Sequence, residues 1–180
     1  MGYGIMPYRV NLDRLATRFG TSNKPKRREI VKECSRRANS IDSDAAHYQN
    51  APKFMEIVEE LLDGKATHEK FGWMYWYAIE GFCEVLGRPM MNDQWARIPA
   101  TEMDFFYENF SLWDIPNAPM TIPTPNDFPT VFVLHPERIS DEFIQTTLKE
   151  AVPEYFQYGQ IKSWLEAAKQ YKQDLVLFYY

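Results

Sequence analysis

A chain of 180 residues with 45% apolar and 25% charged side chains sits at the globular average, which excludes intrinsic disorder and leads us to expect one domain, residues 1–180, with its own core. Its net charge of −5 disfavours a dedicated nucleic-acid binder, which usually shows a clearly basic domain. Two cysteines, Cys34 and Cys83, are too few for a disulfide framework and lie at no metal-ligand spacing, so neither a stapled scaffold nor a metal or other cofactor is expected.

Tyr3 to Val10 carries Tyr, Ile and Val and reads as an opening strand, which Pro7 confines to an edge or irregular form. Asn11 can cap a helix on Leu12, Leu15, Ala16 and Phe19, stopped by Gly20. Ser22 or Asn23 caps a basic helix with Pro25 in its first turn. Residues 39–50 are polar and turn-rich, and predict a loop. Pro52 opens a helix with Phe54, Ile57, Val58, Leu61 and Leu62 on one face and Glu56, Glu59, Glu60 and Asp63 on another, ended by Gly64. Trp73 to Gly87 is apolar on several faces and predicts the central buried helix. Thr101 to Phe110 opens close to a capping box and continues as a short aromatic helix.

Six of the twelve prolines fall within residues 116–136, and a ring that fixes φ and removes a donor predicts an extended, irregular segment. Inside it, Thr130 to Leu134 is rich in β-formers and suits a brief strand. Ser140 caps a helix to about Ala151, Gln160 to Tyr171 forms another, and Asp174 to Tyr180 closes the chain as a strand. The expected fold class is α+β: a small sheet built from the N-terminal, 130–134 and C-terminal strands, packed on several helices. The first twenty residues show no apolar stretch behind a basic start, and no apolar run approaches the roughly 20 residues of a membrane-spanning helix. A cytoplasmic location away from membranes is the expectation.

Charge is uneven along the chain. Residues 1–50 hold ten Lys/Arg against five Asp/Glu, and residues 51–180 hold ten against twenty. Seven basic residues crowd into Lys24 to Arg37, where Lys24, Arg28, Lys32 and Arg36 form a stripe and Ile30, Val31, Cys34 and Ala38 another face. The stripe would suit phosphate or an acidic partner; the plainer expectation is a solvated face that also neutralises the protein's own acidic body.

Candidate chemistry is sparse. His47, His68 and His135 are scattered without metal-ligand company, and a lone G-x-G at Gly2 and Gly4 has no nucleotide fingerprint behind it. Glu80, inserted in the aromatic helix, would suit a general acid or base if buried, although a helix-surface glutamate beside a half-exposed ring is the preferred expectation. Asp104, Glu108 and Asp114 interleave with Phe105, Phe106, Tyr107, Phe110 and Trp113. Carboxylates that steer and rings that anchor are what a surface for a basic protein partner needs.

Tyr3-Gly4-Ile5-Met6-Pro7-Tyr8-Arg9-Val10-Asn11-Leu12-Asp13-Arg14-Leu15, the central Tyr77-Ala78-Ile79-Glu80-Gly81-Phe82-Cys83, the Pro123-x-Pro125-Asn126-Asp127-Phe128-Pro129 segment and the closing Phe178-Tyr179-Tyr180 resemble a bacterial family of uncharacterised proteins, a domain of unknown function. The resemblance spans most of the chain and implies a bacterial cytoplasmic protein, with no activity, cofactor or catalytic residue to carry over. The functional expectation is a non-enzymatic immunity or antitoxin-like protein that blocks a basic toxin through Asp104, Tyr107, Glu108 and Trp113. The alternative is a hydrolase or transferase with dispersed residues, among them Glu80, Asp127 and His135.

Overall fold

The structure, a computed structural model, describes residues 4–92, 103–125, 128–147 and 158–180. It is mixed α+β, with an antiparallel five-stranded sheet of β1 (Ile5–Val10), β2 (Arg88–Pro89), β3 (Ser111–Leu112), β4 (Thr130–Leu134) and β5 (Asp174–Tyr179) in the order β2-β1-β5-β4-β3. The chain divides into two compact units, one of Met1–Asn11, Arg88–Asp114 and Thr130–Tyr180, the other of Leu12–Gly87 and Ile115–Pro129.

The first unit is the sheet and its helices. β5 (Asp174–Tyr179) is the central strand and is buried along its whole length. β1 (Ile5–Val10) pairs with it from Ile5↔Tyr179 to Val10↔Asp174, and β4 (Thr130–Leu134) from Thr130↔Tyr179 to Leu134↔Leu175. These are the three strands read from β-branched and aromatic runs. Pro7 is tolerated inside β1 because its carbonyl accepts from Met90 N–H (2.9 Å). Its nitrogen therefore faces the short side of the sheet, and the missing donor is not one β5 needs. Two-residue strands finish the edges: β2 (Arg88–Pro89) beside β1 and β3 (Ser111–Leu112) beside β4. Neither was expected, because two residues carry no periodicity and only their pairing makes them strands.

α6 (Asp104–Asn109) buries Phe105 and Phe106, and the Phe106 and Phe110 rings lie 5.5 and 6.3 Å from that of Phe132 in β4. Residues 101 and 102, where this helix was expected to start, lie outside the described residues. Ser140 does cap a turn, its hydroxyl accepting from Phe143 N–H (2.9 Å), but Phe143–Thr147 is wound as a π-turn. Beyond 147 the expected helix to Ala151 lies outside the described residues. α7 (Tyr158–Tyr171) packs on β1 and β5 through Ile161, Trp164, Leu165 and Ala168, all buried and spaced by three and four. Trp164 fixes its depth by donating Nε1–H to Met91 O (2.8 Å).

The second unit is helical. α1 (Leu12–Ala16) leads to α2 (Lys24–Ser35), where Asn23 Oδ1 caps by accepting from Lys26 N–H (3.1 Å) and Pro25 occupies the first turn. α4 (Phe54–Leu62) buries all five residues of its predicted apolar face, and α5 (Gly72–Leu86) is buried from Met74 to Cys83 apart from Tyr77. Gly20, closing the turn after α1, and Gly64, just past α4, adopt φ +70° and +72°, a region that residues with a Cβ rarely adopt. The proline-rich segment lies along the start of α5. Trp76 Nε1–H donates to Pro123 O (3.1 Å), and a Cβ at Gly72 would sit 2.5 Å from Thr124 O. Tyr75 donates to Glu60, which also accepts from Thr67. Burial raises the Glu60 carboxyl and these donors outweigh it, holding the group down at about 2.

The expected loop at 39–50 is corrected as far as residue 45, and residues 46–50 are turns as expected. α3 (Ala38–Ala45) is a helix whose apolar stripe is only Ile41 and Ala45, both buried. One of its polar residues is structural: Asp42 Oδ1 accepts from Phe54 N–H at the head of α4 (2.7 Å).

Candidate functional site

Four of the seven basic residues from Lys24 to Arg37 are paired inside their own unit. Arg27 bonds to Glu59 (2.5 Å), Asp63 (2.9 Å) and the Leu62 carbonyl (2.8 Å); Lys26 pairs with Glu29 and Arg36 with Glu33, each at 2.6 Å. Arg37 bridges Glu80 and Glu84. Lys24, Arg28 and Lys32 carry no ion pair among the described residues and lie exposed along the stripe. Cys34, on the opposite face, is buried, and burial pushes its thiol up to about 12, so it is no nucleophile near neutral pH.

Glu80 corrects an expectation. It is fully buried rather than on the helix surface. Periodicity could not reveal this, because the partner that makes burial tolerable, Arg37, lies 43 residues away in sequence. Held by a guanidinium, Glu80 is a structural carboxylate. Of the other residues of the enzymatic alternative, Asp127 lies outside the described residues, and Glu80 and His135 belong to different units.

His135, at the end of β4, meets Asp174 at the start of β5 and Asp114 just after β3. Its Nδ1 is 2.7 Å from Asp174 Oδ1 and its Nε2 is 3.2 Å from Asp114 Oδ2. With a carboxylate on each ring nitrogen, the imidazolium that donates twice is the form this geometry favours. Burial pulls its pKa down, and the hydrogen bonds and charges of Asp174 and Asp114 outweigh that, so His135 titrates above its ordinary value. A raised folded-state pKa contributes stability that is complete below the unfolded value of about 6.5 and is lost as pH rises through the folded one. Urea unfolding should accordingly show stability falling from about pH 6.5 upward, and His135→Gln should flatten that slope. An unchanged slope in the variant would assign the pH dependence elsewhere.

The acidic and aromatic candidates all belong to the first unit. On α6, Asp104, Tyr107 and Glu108 are exposed while Phe105 and Phe106 point into the core. Tyr107 is 50% exposed yet anchored, its ring edge-on to Phe132 at 5.2 Å. Asp104 and Glu108 stand one helical turn apart. Leu112 on the edge strand is exposed, and Trp113, half-buried at φ +47°, turns the chain while its N–H donates to Val131 O (2.9 Å). Asp114 follows with its side chain 43% exposed, on the His135 bridge. Leu112 escaped the sequence reading, since its exposure depends on lying at a sheet edge. The surrounding unit holds eight Lys/Arg against twelve Asp/Glu, whereas the helical unit holds twelve against thirteen. Excess negative charge is therefore concentrated in the unit that carries these residues.

No helix among the described residues is long and apolar enough to cross a membrane, and no group of three or more His, Cys, Asp or Glu side chains among them is placed to hold a metal ion. No curated protein and no solved structure matches the chain. A family model does, over residues 1–180, and its description, a domain of unknown function, DUF7691, agrees with the resemblance carried by the opening, central and closing motifs. The chain belongs to the DUF7691 family.

Proposed function

We propose that this chain is a non-enzymatic bacterial immunity or antitoxin-like protein that acts in the cytoplasm by covering a basic partner toxin with the face made by Asp104, Tyr107, Glu108 and Trp113. The observation that supports it is the arrangement of α6: Phe105 and Phe106 are buried and the Phe106 and Tyr107 rings pack against Phe132 of the sheet, so the two exposed carboxylates and Tyr107 stand on a packed base in the acidic unit. Rigid aromatic side chains lose little entropy on contact and are frequent energetic anchors. Carboxylates around them raise the association rate of a basic partner. The enzymatic alternative has less support, because Arg37 holds Glu80 and carboxylates occupy both nitrogens of His135.

The test is binding kinetics against the product of the adjacent reading frame, where a toxin and its blocker are commonly encoded together. Reversing charge at Asp104 and Glu108 should slow association about tenfold at low salt and much less at high salt. Trp113→Ala should speed dissociation by roughly thirtyfold, equivalent to about 2 kcal/mol, at every salt concentration. A partner whose binding ignores all four residues, or a purified protein that turns over a substrate with His135 essential, would sink the reading.

A further inference from the structure

We propose that Arg9 and Arg88 form a binding site for a small phosphate-type dianion at the β1–β2 edge of the sheet. The register makes them direct cross-strand partners. Residues so paired point to one face with their Cβ atoms about 4.5–5.5 Å apart, and like charges in that position repel. An anion between the two would remove that repulsion.

The Arg9 side chain is held in place. Its guanidinium carbon lies 3.6 Å from the centroid of the Tyr171 ring at the end of α7, a stacking that fixes the plane of the fork. Within that plane Nη1 is buried and has no hydrogen-bond partner among the described residues. A buried donor of a charged group left unpaired is costly, and a group fixed by stacking cannot swing out to find water. The nearest carboxylate along the sheet, Asp174, is paired with Val10 rather than Arg9, so it projects from the opposite face, where it binds His135. Arg88 is exposed and adds a second, movable fork beside the fixed one.

The chemistry of the pair selects the ligand. Two guanidinium groups carry two positive charges and present planar N–H forks that match the oxygens of phosphate. A phosphate monoester carries about −1.5 to −2 near neutral pH and three strong acceptor oxygens, enough to cancel both cations; one carboxylate cancels only one.

Isothermal titration with inorganic phosphate, against acetate at matched ionic strength, is the test. One saturable phosphate site is expected, with acetate clearly weaker. Arg88→Ala changes an exposed residue and should leave the fold intact while weakening phosphate about tenfold or more. Arg88→Glu should raise the melting temperature in phosphate-free buffer, by giving Arg9 an opposite charge, and remove the upward shift that phosphate produces in the unmodified protein. Phosphate binding that is absent, that acetate equals, or that survives Arg88→Ala unchanged overturns the proposal.

Discussion

Replacing Arg37 by Ala should destabilise the protein by about 3–5 kcal/mol, the usual consequence of removing one partner of a buried ion pair. Glu80 is fully buried in the middle of α5, and Arg37, which stands at the head of α3, is the cation bridging it to Glu84. Truncation leaves the carboxylate inside without that guanidinium, so the cost is dominated by stranded charge rather than by lost contact area. The same reasoning makes a second result mandatory. The double change Arg37→Met with Glu80→Gln should recover most of the loss, because a neutral, similar-volume pair removes the charge that was stranded. Chemical unfolding of the single and double variants measures both. A single-variant loss under about 1 kcal/mol would mean that water reaches Glu80.

Phe82→Ala should cost a similar amount, roughly 3–5 kcal/mol, by a different route. Its ring is fully buried on α5 and lies 5.5 Å from that of Phe19, which follows α1. Removing it deletes apolar burial and leaves a cavity between elements whose positions are set by other contacts, so little relaxation is available. The midpoint of urea unfolding should fall with the slope nearly unchanged. A loss under about 1 kcal/mol would take α5 out of the core. The two variants separate the two ways α5 is held, by a packed ring and by a charged bridge.

These two residues also divide what the chain discloses by itself from what folding adds. Phe82 belongs to a run apolar on several faces, and such a run is buried; α5, the five-residue face of α4, the capped start of α2 and the strands β1, β4 and β5 are legible for the same reason, because burial imprints a period of 3.6 or 2 on neighbouring residues. The α+β class follows from those elements alone. The exposed side of α6 is equally readable, since two carboxylates four residues apart share a face in any helix.

What escapes local reading depends on partners far along the chain. Glu80 looks like a surface residue until Arg37 arrives to neutralise it, and the polar stretch of α3 looks like a loop because just two side chains, Ile41 and Ala45, are buried along it. β2 and β3 are two residues each and exist because β1 and β4 offer them unpaired backbone edges. His135 acquires a carboxylate on each side from segments 21 and 39 residues away, and Arg9 faces Arg88 across a register no local pattern encodes. Hydrophobic periodicity is a property of adjacent residues and so is written in the sequence; charge pairing and strand register are properties of which distant segments meet, and tertiary structure alone decided them.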